Sequence, residues 1–538
     1  MSVITVNNLF YYLPDGRLLL DNLTGSFGTE NSNDKRKRVA MVGRNGVGKS
    51  VLAKIMAGLL SVVPPGSGSV TRSGPVFYLE QTTTPERFSD VADLAGVREV
   101  LDAARRVERG VGSARDLSLA EGKWDIEELL TKELTIAKLD YLTPDTSALA
   151  LSGGEYTRVA LAGAFLSGRA FLILDEPTNH LDSQSKRELM EYLRTWKNDC
   201  LLITHDRALL DEMDRITELS SHGLKSYGGN YSLYRERKTA EQAVVLDKLE
   251  RAKIERRVAN AETQASIERQ QHRARNGKKR FADLGIPKLF KKSLKNTSEK
   301  TSGKLDAARD EKLARVALAE KKAFFDANIE PDMVFIPPEC SVHAAKVVLR
   351  LNSVVLPYGD KTPIDRVITG PERIAIEGPN GSGKTTLLRV LRGEIAPLHG
   401  SCEVKVVFAS LDQFATLPRG KTSPEILREV RDMSSGEAGT RLAQIGIAGN
   451  SLQVKSEFLS GGERLKVALL RALHKTPSPQ LLILDEPTNH LDIDSVESVE
   501  KMLKAYTGAL VVVSHDAVFL DACGVTGRLC LSATGAAP

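Results

Sequence analysis

The same eleven residues occur twice in this chain, and each copy closes an apolar run with two carboxylates. LILDEPTNHLD fills positions 172–182 and 482–492. The apolar run at the start of each copy is typical of a strand buried inside a parallel sheet, where both faces are covered. Open α/β sheets bind ligands at the carboxyl ends of their strands. We therefore predict that the acidic pairs after Phe171–Leu174 and Leu481–Leu484, which are Asp175–Glu176 and Asp485–Glu486, face a metal-bound substrate.

A histidine lies thirty residues past the first aspartate of each copy, at the end of a second apolar run. The two segments read LLITHD and VVVSHD, and the histidines are His205 and His515. Chance does not explain eleven repeated letters together with a matched histidine. The chain is therefore interpreted as a tandem duplication with a repeated active-site core.

Each half also carries a loop of the form G-x-x-x-x-G-K-[S/T]. GRNGVGKS runs from Gly43 to Ser50, after the predicted strand Val39–Val42 and before the helical pattern Val51–Leu60. This context distinguishes a phosphate-binding P-loop from a chance match. The glycines let backbone N–H groups surround phosphate oxygens, and the helix N-terminus adds positive potential. Lys49 is predicted to reach the outer phosphates, and the serine hydroxyl is predicted to bind Mg²⁺.

The second half repeats the loop as GPNGSGKT after the predicted strand Arg373–Ile376, with Lys384 and Thr385 in the same roles. A glycine-rich loop without a ligand is the alternative. It is disfavoured because the motif occurs twice, each time ahead of a predicted strand that ends in an Asp-Glu pair. The predicted phosphate-binding residues are Gly43, Arg44, Asn45, Gly46, Val47, Gly48, Lys49 and Ser50 in the first half and Gly378, Pro379, Asn380, Gly381, Ser382, Gly383, Lys384 and Thr385 in the second.

The pentapeptide LSGGE stands between the P-loop and the acidic strand in both halves, at 151–155 and 459–463. Helix-forming runs follow it, Tyr156–Leu166 and Arg464–Leu473. Ser-Gly-Gly at a helix start leaves backbone donors free, so the segment suits phosphate binding as well as ordinary helix capping. Its recurrence at the same place favours a binding role for Ser152, Gly153, Gly154, Ser460, Gly461 and Gly462.

The composition excludes several classes of protein. With 41% hydrophobic and 27% charged residues, the 538-residue chain is predicted to form about three globular domains. No stretch approaches the roughly 18 apolar residues of a membrane helix, and no signal peptide is evident. Five scattered cysteines without CxxC spacing argue against a zinc or iron–sulfur site and favour a reducing compartment, the cytoplasm.

The order of these motifs resembles the nucleotide-binding cassette of the ATP-binding-cassette (ABC) superfamily. Two cassettes in one chain, TNHLD after the acidic pair, no membrane segment and a long charged linker resemble one branch, the ABC-F proteins. This resemblance implies an α/β fold with two P-loop, ABC-type nucleotide-binding domains joined by a long α-helical hairpin linker. The expected domains are a first cassette at 1–235, the linker at 236–340 and a second cassette at 341–538.

The resemblance further implies a monomer whose two cassettes pair head to tail around two ATP molecules. It adds to each site a glutamine near Mg²⁺ and a tyrosine against adenine; Tyr12 is preferred to Tyr11 because of its spacing to Asp21. The first site is expected to join Tyr12, Lys49, Ser50, Gln81, Asp175, Glu176 and His205 to Ser460, Gly461 and Gly462. The second is expected to join Tyr358, Lys384, Thr385, Gln413, Asp485, Glu486 and His515 to Ser152, Gly153 and Gly154.

These residue types suit ATP hydrolysis at both sites. Asp175 and Asp485, with the P-loop hydroxyls, are predicted to hold the Mg²⁺ that bridges the phosphates. His180 and His490, which also repeat, are interpreted as loop packing. The predicted catalytic residues are Glu176 and Glu486, which would orient or deprotonate the attacking water, and His205 and His515, which would contact the γ-phosphate.

The middle of the chain is predicted to be a helical hairpin. Arg237–Arg275 is rich in helix formers and long enough for a helix of roughly 60 Å. Lys304–Ala327 is predicted to be a returning helix. The basic segment between them, 276–304, is predicted to be a hinge because Gly285 and Pro287 break a helix.

The linker is strongly basic. Positions 235–322 hold 25 Lys and Arg against 13 Asp and Glu, a net charge of +12, whereas the whole chain carries +5 and the remainder therefore about −7. A basic projection on an acidic protein is typical of polyanion binding. Phe281 and Phe290 are too few for base stacking, so contact with the phosphate backbone of folded RNA fits better. A solvated spacer is the alternative, and it suits the mixed charges at 236–268 better than the tip. The candidate RNA-binding residues are Arg273, Arg275, Lys278, Lys279, Arg280, Lys288, Lys291 and Lys292.

ABC-F linkers reach into the ribosome from the tRNA exit site, so the resemblance implies a ribosome-associated ATPase that contacts rRNA and tRNA. ATP would hold the cassettes together and favour binding, and hydrolysis would release the protein. Two other classes are the ATPase subunit of a membrane transporter with a separate permease and a DNA-associated cassette ATPase. Within the ABC-F branch, the sequence does not distinguish a translation factor from a protein that protects ribosomes against antibiotics.

Overall fold

The computed structural model describes residues 3–28, 38–61, 68–80, 85–166, 171–179, 181–283, 307–322, 335–412, 414–489 and 491–532. The chain divides into two compact units, one made of Met1–Tyr231 with Asp332–Pro538 and the other of Ser232–Pro331. The first unit contains both predicted cassettes and the second most of the predicted linker. The three domains expected from the sequence, with their two boundaries, stay a prediction, because this division does not separate the cassettes.

The first cassette is built on a mostly parallel sheet whose order is β5-β6-β7-β3-β8-β9, with only β8 and β9 antiparallel. A smaller antiparallel sheet has the order β2-β1-β4. The strands are β1 (Val3–Tyr12), β2 (Leu18–Gly28), β3 (Arg38–Val42), β4 (Ser69–Arg72), β5 (Val76–Leu79), β6 (Phe171–Asp175), β7 (Asp199–Ile203), β8 (Arg215–Ser220) and β9 (Gly223–Gly228). The helices are α1 (Lys49–Ala57), α2 (Val91–Leu94), α3 (Arg98–Glu108), α4 (Ala114–Ala120), α5 (Ile126–Ile136), α6 (Gly153–Leu166), α7 (Ser183–Thr195) and α8 (Arg207–Asp211).

The second cassette repeats this plan. Its larger sheet has the order β14-β15-β16-β12-β17, and its smaller one β11-β10-β13. The strands are β10 (Val347–Val355), β11 (Ile364–Thr369), β12 (Arg373–Glu377), β13 (His399–Val404), β14 (Phe408–Leu411), β15 (Leu481–Asp485), β16 (Ala509–Val513) and β17 (Gly527–Cys530). The helices are α11 (Lys384–Leu391), α12 (Ser423–Arg428), α13 (Ser435–Gln444), α14 (Gly461–Leu473), α15 (Ile493–Ala505) and α16 (Ala517–Ala522).

The central strands form because both of their faces are covered. Every residue of β6, β7, β15 and β16 is buried, which explains why the sequence shows continuous apolar runs there instead of alternation. In the first cassette, apolar residues of β1 and β2 share one core with those of β3, β6, β7 and α1. The predicted α/β architecture with two similar cassettes is confirmed.

Helix boundaries differ from the sequence expectation at the first P-loop. The predicted helical run was Val51–Leu60, whereas α1 begins at Lys49 and ends at Ala57. The helix stops there because Gly58 adopts a left-handed conformation with φ 81° and caps the last turn with its backbone N–H.

The second unit, described by itself, contains two antiparallel helices, α9 (Tyr231–Asp283) and α10 (307–322). Arg256 pairs with Glu320 at 2.7 Å and Lys312 with Glu262 at 2.8 Å. The predicted hairpin is confirmed over these residues, but the hinge prediction is wrong for 276–283, which continue α9. One glycine, Gly277, costs a helix only about 1 kcal/mol, so the good helix formers around it prevail.

Candidate functional site

Parallel pairing brings three strand ends together at one edge of the first sheet. Met41 of β3 and Asp175 of β6 both lie opposite Ile203 of β7. The residues that follow these positions are the P-loop, Glu176 and the segment that leads to His205. The second cassette has the same register, with Ile376 of β12 and Asp485 of β15 opposite Val513 of β16. The motifs predicted to act together therefore converge twice.

The P-loops need glycine at their first position. Gly43 and Gly378 both have a φ of 154°, which L side chains rarely adopt. A Cβ on Gly43 would lie 2.3 Å from the Leu219 carbonyl oxygen, and one on Gly378 would lie 2.6 Å from that of Leu531. The loop therefore wraps tightly at the strand end, in the kind of conformation that lets successive backbone N–H groups surround an anion.

The P-loop lysines are buried and directed at their own loops. Lys49 Nζ donates to the carbonyl oxygens of Gly43 at 2.5 Å and Arg44 at 3.1 Å. Lys384 Nζ does the same with Gly378 at 2.7 Å and Pro379 at 3.0 Å. Burial lowers the pKa of both ammonium groups, although neighbouring carboxylates act in the opposite direction. Each cation is thus held at the loop where the outer phosphates of a nucleotide would bind.

The residues predicted to bind magnesium fit a hard divalent cation. The Ser50 hydroxyl hydrogen-bonds Asp175, and the Thr385 hydroxyl hydrogen-bonds Asp485, so each site presents oxygen ligands of the type that Mg²⁺ prefers. Burial raises the pKa of both aspartates. Among the described residues, the buried Oδ1 of Asp175 has no hydrogen-bond partner, which leaves this oxygen available to a cation.

The predicted catalytic residues meet at each strand end. His205 Nε2 lies 3.3 Å from Glu176 Oε1, and His515 Nε2 lies 3.4 Å from Glu486 Oε1. Both glutamates adopt left-handed backbone angles, φ 49° and 44°, a conformation that is strained for residues other than glycine and often marks functional sites. The geometry therefore forms two glutamate–histidine pairs, one in each cassette, from residues 29 positions apart in the sequence.

Burial perturbs these groups strongly. It raises the pKa of Glu176 to about 8 and that of Glu486 to about 7. Burial, together with the charge of the nearby P-loop lysine, lowers the pKa of His205 to about 3 and that of His515 to about 4. Carboxyl groups with a pKa close to neutral are suited to accept a proton from water at physiological pH.

Each P-loop is also contacted by an aspartate of the opposite cassette. The backbone N–H of Asn45 donates to Asp492 Oδ2 at 3.0 Å, and that of Asn380 donates to Asp182 Oδ2 at 3.0 Å. These carboxylates also cap α15 and α7. Burial alone would raise the pKa of each aspartate, but the hydrogen bonds that it accepts outweigh this effect and the pKa is lowered. The two sites are therefore composite, with groups from both cassettes.

Two polar cavities lie where the cassettes meet. The first, of about 70 Å³, is lined by Asn45, Glu176 and His205 together with Asn489 of the second cassette. The second, of about 240 Å³, is lined by residues that include Lys384, Thr385, Asp485, Glu486 and His515, together with Thr178 and Lys186 of the first cassette.

Comparisons with known proteins also find two nucleotide-binding regions in this chain and several relatives along its length. A family model described as ABC transporter matches residues 31–179 and 364–489, together just over half of the chain. The tylosin resistance ATP-binding protein TlrC of Streptomyces fradiae is 30% identical over 512 residues, which cover 89% of this chain and 90% of that protein. The energy-dependent translational throttle protein EttA of Escherichia coli K12 is 29% identical over 548 residues, which cover 96% and 90%.

The chain belongs to the ABC transporter family and, within it, to the ABC-F proteins.

A solved structure shares the fold of this ABC-F protein. The archaeal ribosome recycling factor aABCE1, determined in complex with the archaeal ribosomal stalk protein aP1, is 20% identical and aligns with a TM-score of 0.50 over 96% of this chain and 86% of that one. At this identity the likeness concerns the fold alone. Within the part of this ABC-F protein that the structure describes, no helix is both long enough and apolar enough to cross a membrane.

Several other predicted ATP-site residues are among those that the structure describes. Ser152 and Ser460 stand at the N-termini of α6 and α14, and a Cβ on Gly154 would contact Ser185 on α7, the helix that Asp182 caps. Tyr12 and Tyr358 are 43% and 71% exposed, whereas Tyr11 packs against the core, which favours Tyr12 as the partner of the base. The stacking of adenine on these tyrosines stays a prediction.

Other predicted residues of the ABC-F protein cannot be placed at the sites. Gln81, Gln413, His180 and His490 lie outside the described residues, as do Lys288, Lys291 and Lys292. Arg275 is exposed on α9. Arg273, Lys278, Lys279 and Arg280 belong to the same helix by their backbone, and RNA contact stays a prediction for all of these residues.

Sequence reasoning missed several functional candidates in the ABC-F protein. Asp182 and Asp492 are the last residues of the repeated eleven, so their recurrence in the sequence could have indicated a functional role. Tyr78, whose hydroxyl donates to Asp175 Oδ2 at 3.1 Å, has Ser410 at the equivalent position of β14, so no repeat indicated it.

Proposed function

We propose that this ABC-F protein is an ATPase with two composite sites that binds ribosomes in its ATP-bound form and leaves them after hydrolysis. The observation that carries the ATPase proposal is the reciprocal contact between each P-loop and the aspartate of the other cassette, beside a glutamate and a histidine whose side chains are at most 14% exposed. This arrangement makes each site complete only when the cassettes are together.

The chain's own residues account for most of the chemistry. Mg²⁺, when bound by Asp175 with Ser50 or by Asp485 with Thr385, supplies charge that neutralises the phosphates. The P-loop amides and the two P-loop lysines bind the phosphates, and burial excludes water that would weaken these interactions. The glutamates orient the attacking water and accept its proton, and the histidines hold the γ-phosphate in place.

The ribosome part of the proposal rests on the relatives and on the charge of the linker. One relative is named a translational throttle protein and another a tylosin resistance protein, and each matches at least 89% of this chain. The linker carries a net charge of +12, which suits the phosphate backbone of RNA. ATP would then favour the cassette arrangement that binds, and hydrolysis would end it.

Co-sedimentation with purified ribosomes tests this proposal. The variant with Glu176→Gln and Glu486→Gln should pellet with ribosomes in Mg-ATP and remain largely in the supernatant in Mg-ADP, because it keeps ATP bound. The same amount in the pellet with both nucleotides would contradict the proposal. The same sedimentation assay with duplex DNA or with membranes that contain a permease, in place of ribosomes, tests the two other classes of cassette ATPase. Preferential binding to DNA would favour a DNA-associated ATPase, and preferential binding to the membranes would favour a transporter subunit.

Protection against antibiotics is a second candidate, favoured by the 30% identity to TlrC. Expression in a drug-sensitive strain, scored for growth against a panel of ribosome-targeting antibiotics, separates it from a general translation role. Raised resistance to one drug class that is lost in the double glutamate variant would support protection. Unchanged sensitivity to every drug would favour a translation factor.

A further inference from the structure

The two ATP sites differ in what the opposite cassette presents to the histidine. α7 and α15 begin at matched positions, each capped by the aspartate that ends the repeated eleven residues. The first residue of α7 is Ser183, whereas that of α15 is Ile493. A serine can hydrogen-bond across the interface and an isoleucine cannot.

The serine at the start of α7 contacts the histidine of the second site. Ser183 Oγ lies 3.4 Å from His515 Nδ1, within hydrogen-bonding distance. For His205, among the described residues, neither ring nitrogen has a hydrogen-bond partner. A partner on one ring nitrogen determines which tautomer and which ring orientation the other nitrogen presents. His515 is therefore aligned by the first cassette, and His205 has no such alignment from the second.

A lysine on the same face of α7 adds to the asymmetry. Lys186 lies one turn after Ser183, and its Nζ is 2.9 Å from Asp206 Oδ2. It lines both cavities, and its charge interacts with Asp516 and Glu486 of the second cassette. The matched residue on α15 is Val496, which carries no charge.

We propose that Ser183 and Lys186 are positioning residues for the second ATP site and make it the faster of the two. Ser183 acts through His515 by holding its ring toward the γ-phosphate. Lys186 keeps a cation at the wall that the two cavities share, where its charge interacts with Glu486. This inference rests on the proposed ATPase activity and adds that the two sites turn over unequally.

Single-turnover hydrolysis in two reporter proteins tests it. Glu176→Gln leaves only the second site with its glutamate, and Glu486→Gln leaves only the first. The second-site reporter should hydrolyse ATP faster. Ser183→Ala should lower the ratio of second-site to first-site rates by about tenfold, the effect of losing one orienting hydrogen bond. The affinity for ATP should change little, because Ser183 acts on the histidine and not on the nucleotide.

Further variants separate positioning from a structural role. Ser183→Thr, which retains the hydroxyl, should restore the ratio, and Lys186→Met should lower it. Ile493→Ser, which gives α15 the hydroxyl of α7, should raise the first-site rate. Gln184→Ala is the matched control, because the Gln184 side chain bonds Glu188 on its own helix.

Equal rates in the two reporters, or a ratio that Ser183→Ala does not change, would overturn the inference while leaving the ATPase proposal intact. Absence of ATP hydrolysis in the wild-type protein would overturn the ATPase proposal itself. Thermal melting of each variant identifies any loss of rate that comes from misfolding.

Discussion

The cassette pair and the helical hairpin encode function in different ways. In the cassettes, particular residue types recur at fixed spacings, and the structure brings them to within 3.4 Å of one another, as with Glu486 and His515. In the hairpin, the notable property is a net charge of +12 spread over 88 residues. Chemistry at phosphorus needs specific groups at specific places, whereas attraction to a polyanion needs only charge.

This difference teaches which changes each region tolerates. One altered side chain at a strand end should remove a step of the reaction, because no neighbouring group can replace it. One altered lysine or arginine in the hairpin should have a small effect, because the surrounding charges remain.

The largest effect should follow replacement of both catalytic carboxylates. The variant with Glu176→Gln and Glu486→Gln should lose ATPase activity by at least about 100-fold, because a general base of this kind contributes about 10² to 10⁴. Binding of ATP, measured by equilibrium dialysis, should persist because the P-loops are unchanged. Substantial turnover in this variant would remove both glutamates from their assigned role.

A smaller loss should follow disruption of the contacts between cassettes. Asp182→Asn or Asp492→Asn should lower ATPase activity by about tenfold, because each removes a charge-assisted hydrogen bond to the opposite P-loop. Asparagine retains an oxygen that can cap the helix. Asp521→Asn, at an exposed position on α16, is the matched control. An equal loss in the control would show that the effect is not specific to the interface.

Stability without nucleotide should depend on pH through the same carboxyls. The pKa values of Glu176 and Glu486 are raised from 4.5 to about 8 and about 7. Between pH 4.5 and these values, the folded protein binds more protons than the unfolded chain. The free energy of unfolding therefore falls as pH rises through this window. The lowered pKa values of His205 and His515 act oppositely, but only below pH 6.5.

The free energy of unfolding should therefore fall between pH 6.5 and 8, by at most about 1.4 kcal/mol per pH unit for each carboxyl. The melting temperature should fall with it. The double glutamine variant should show a flatter profile over this range. A profile identical to that of the wild type would contradict the raised pKa values.

The smallest effect should come from single charges in the hairpin. Arg275→Gln should weaken ribosome binding about two- to threefold and lower the slope of log affinity against log salt by about 0.7 to 0.9. Arg257→Gln, an exposed position in the mixed-charge part of α9, should change the slope less. Equal changes in the two variants would mean that the tip is not the preferred contact.

The repeated motifs made the fold and the core of each site predictable. Asp175, Glu176 and His205 could be grouped from sequence because parallel strands present their carboxyl ends at one edge. The contact between Ser183 and His515 could not, since it depends on how the two cassettes meet and has no repeated counterpart. The extent of α9 was also missed, because the hinge was inferred from Gly285 and Pro287 and assigned too early, at 276.

The rate at which the protein leaves ribosomes tests the central claim most directly. Complexes formed in Mg-ATP would be diluted into buffer without free protein, and bound protein would be followed over time. The wild type should dissociate at a rate close to that of a single ATP turnover, whereas the variant with Glu176→Gln and Glu486→Gln should remain bound far longer. Equal dissociation rates would contradict a cycle in which hydrolysis drives release.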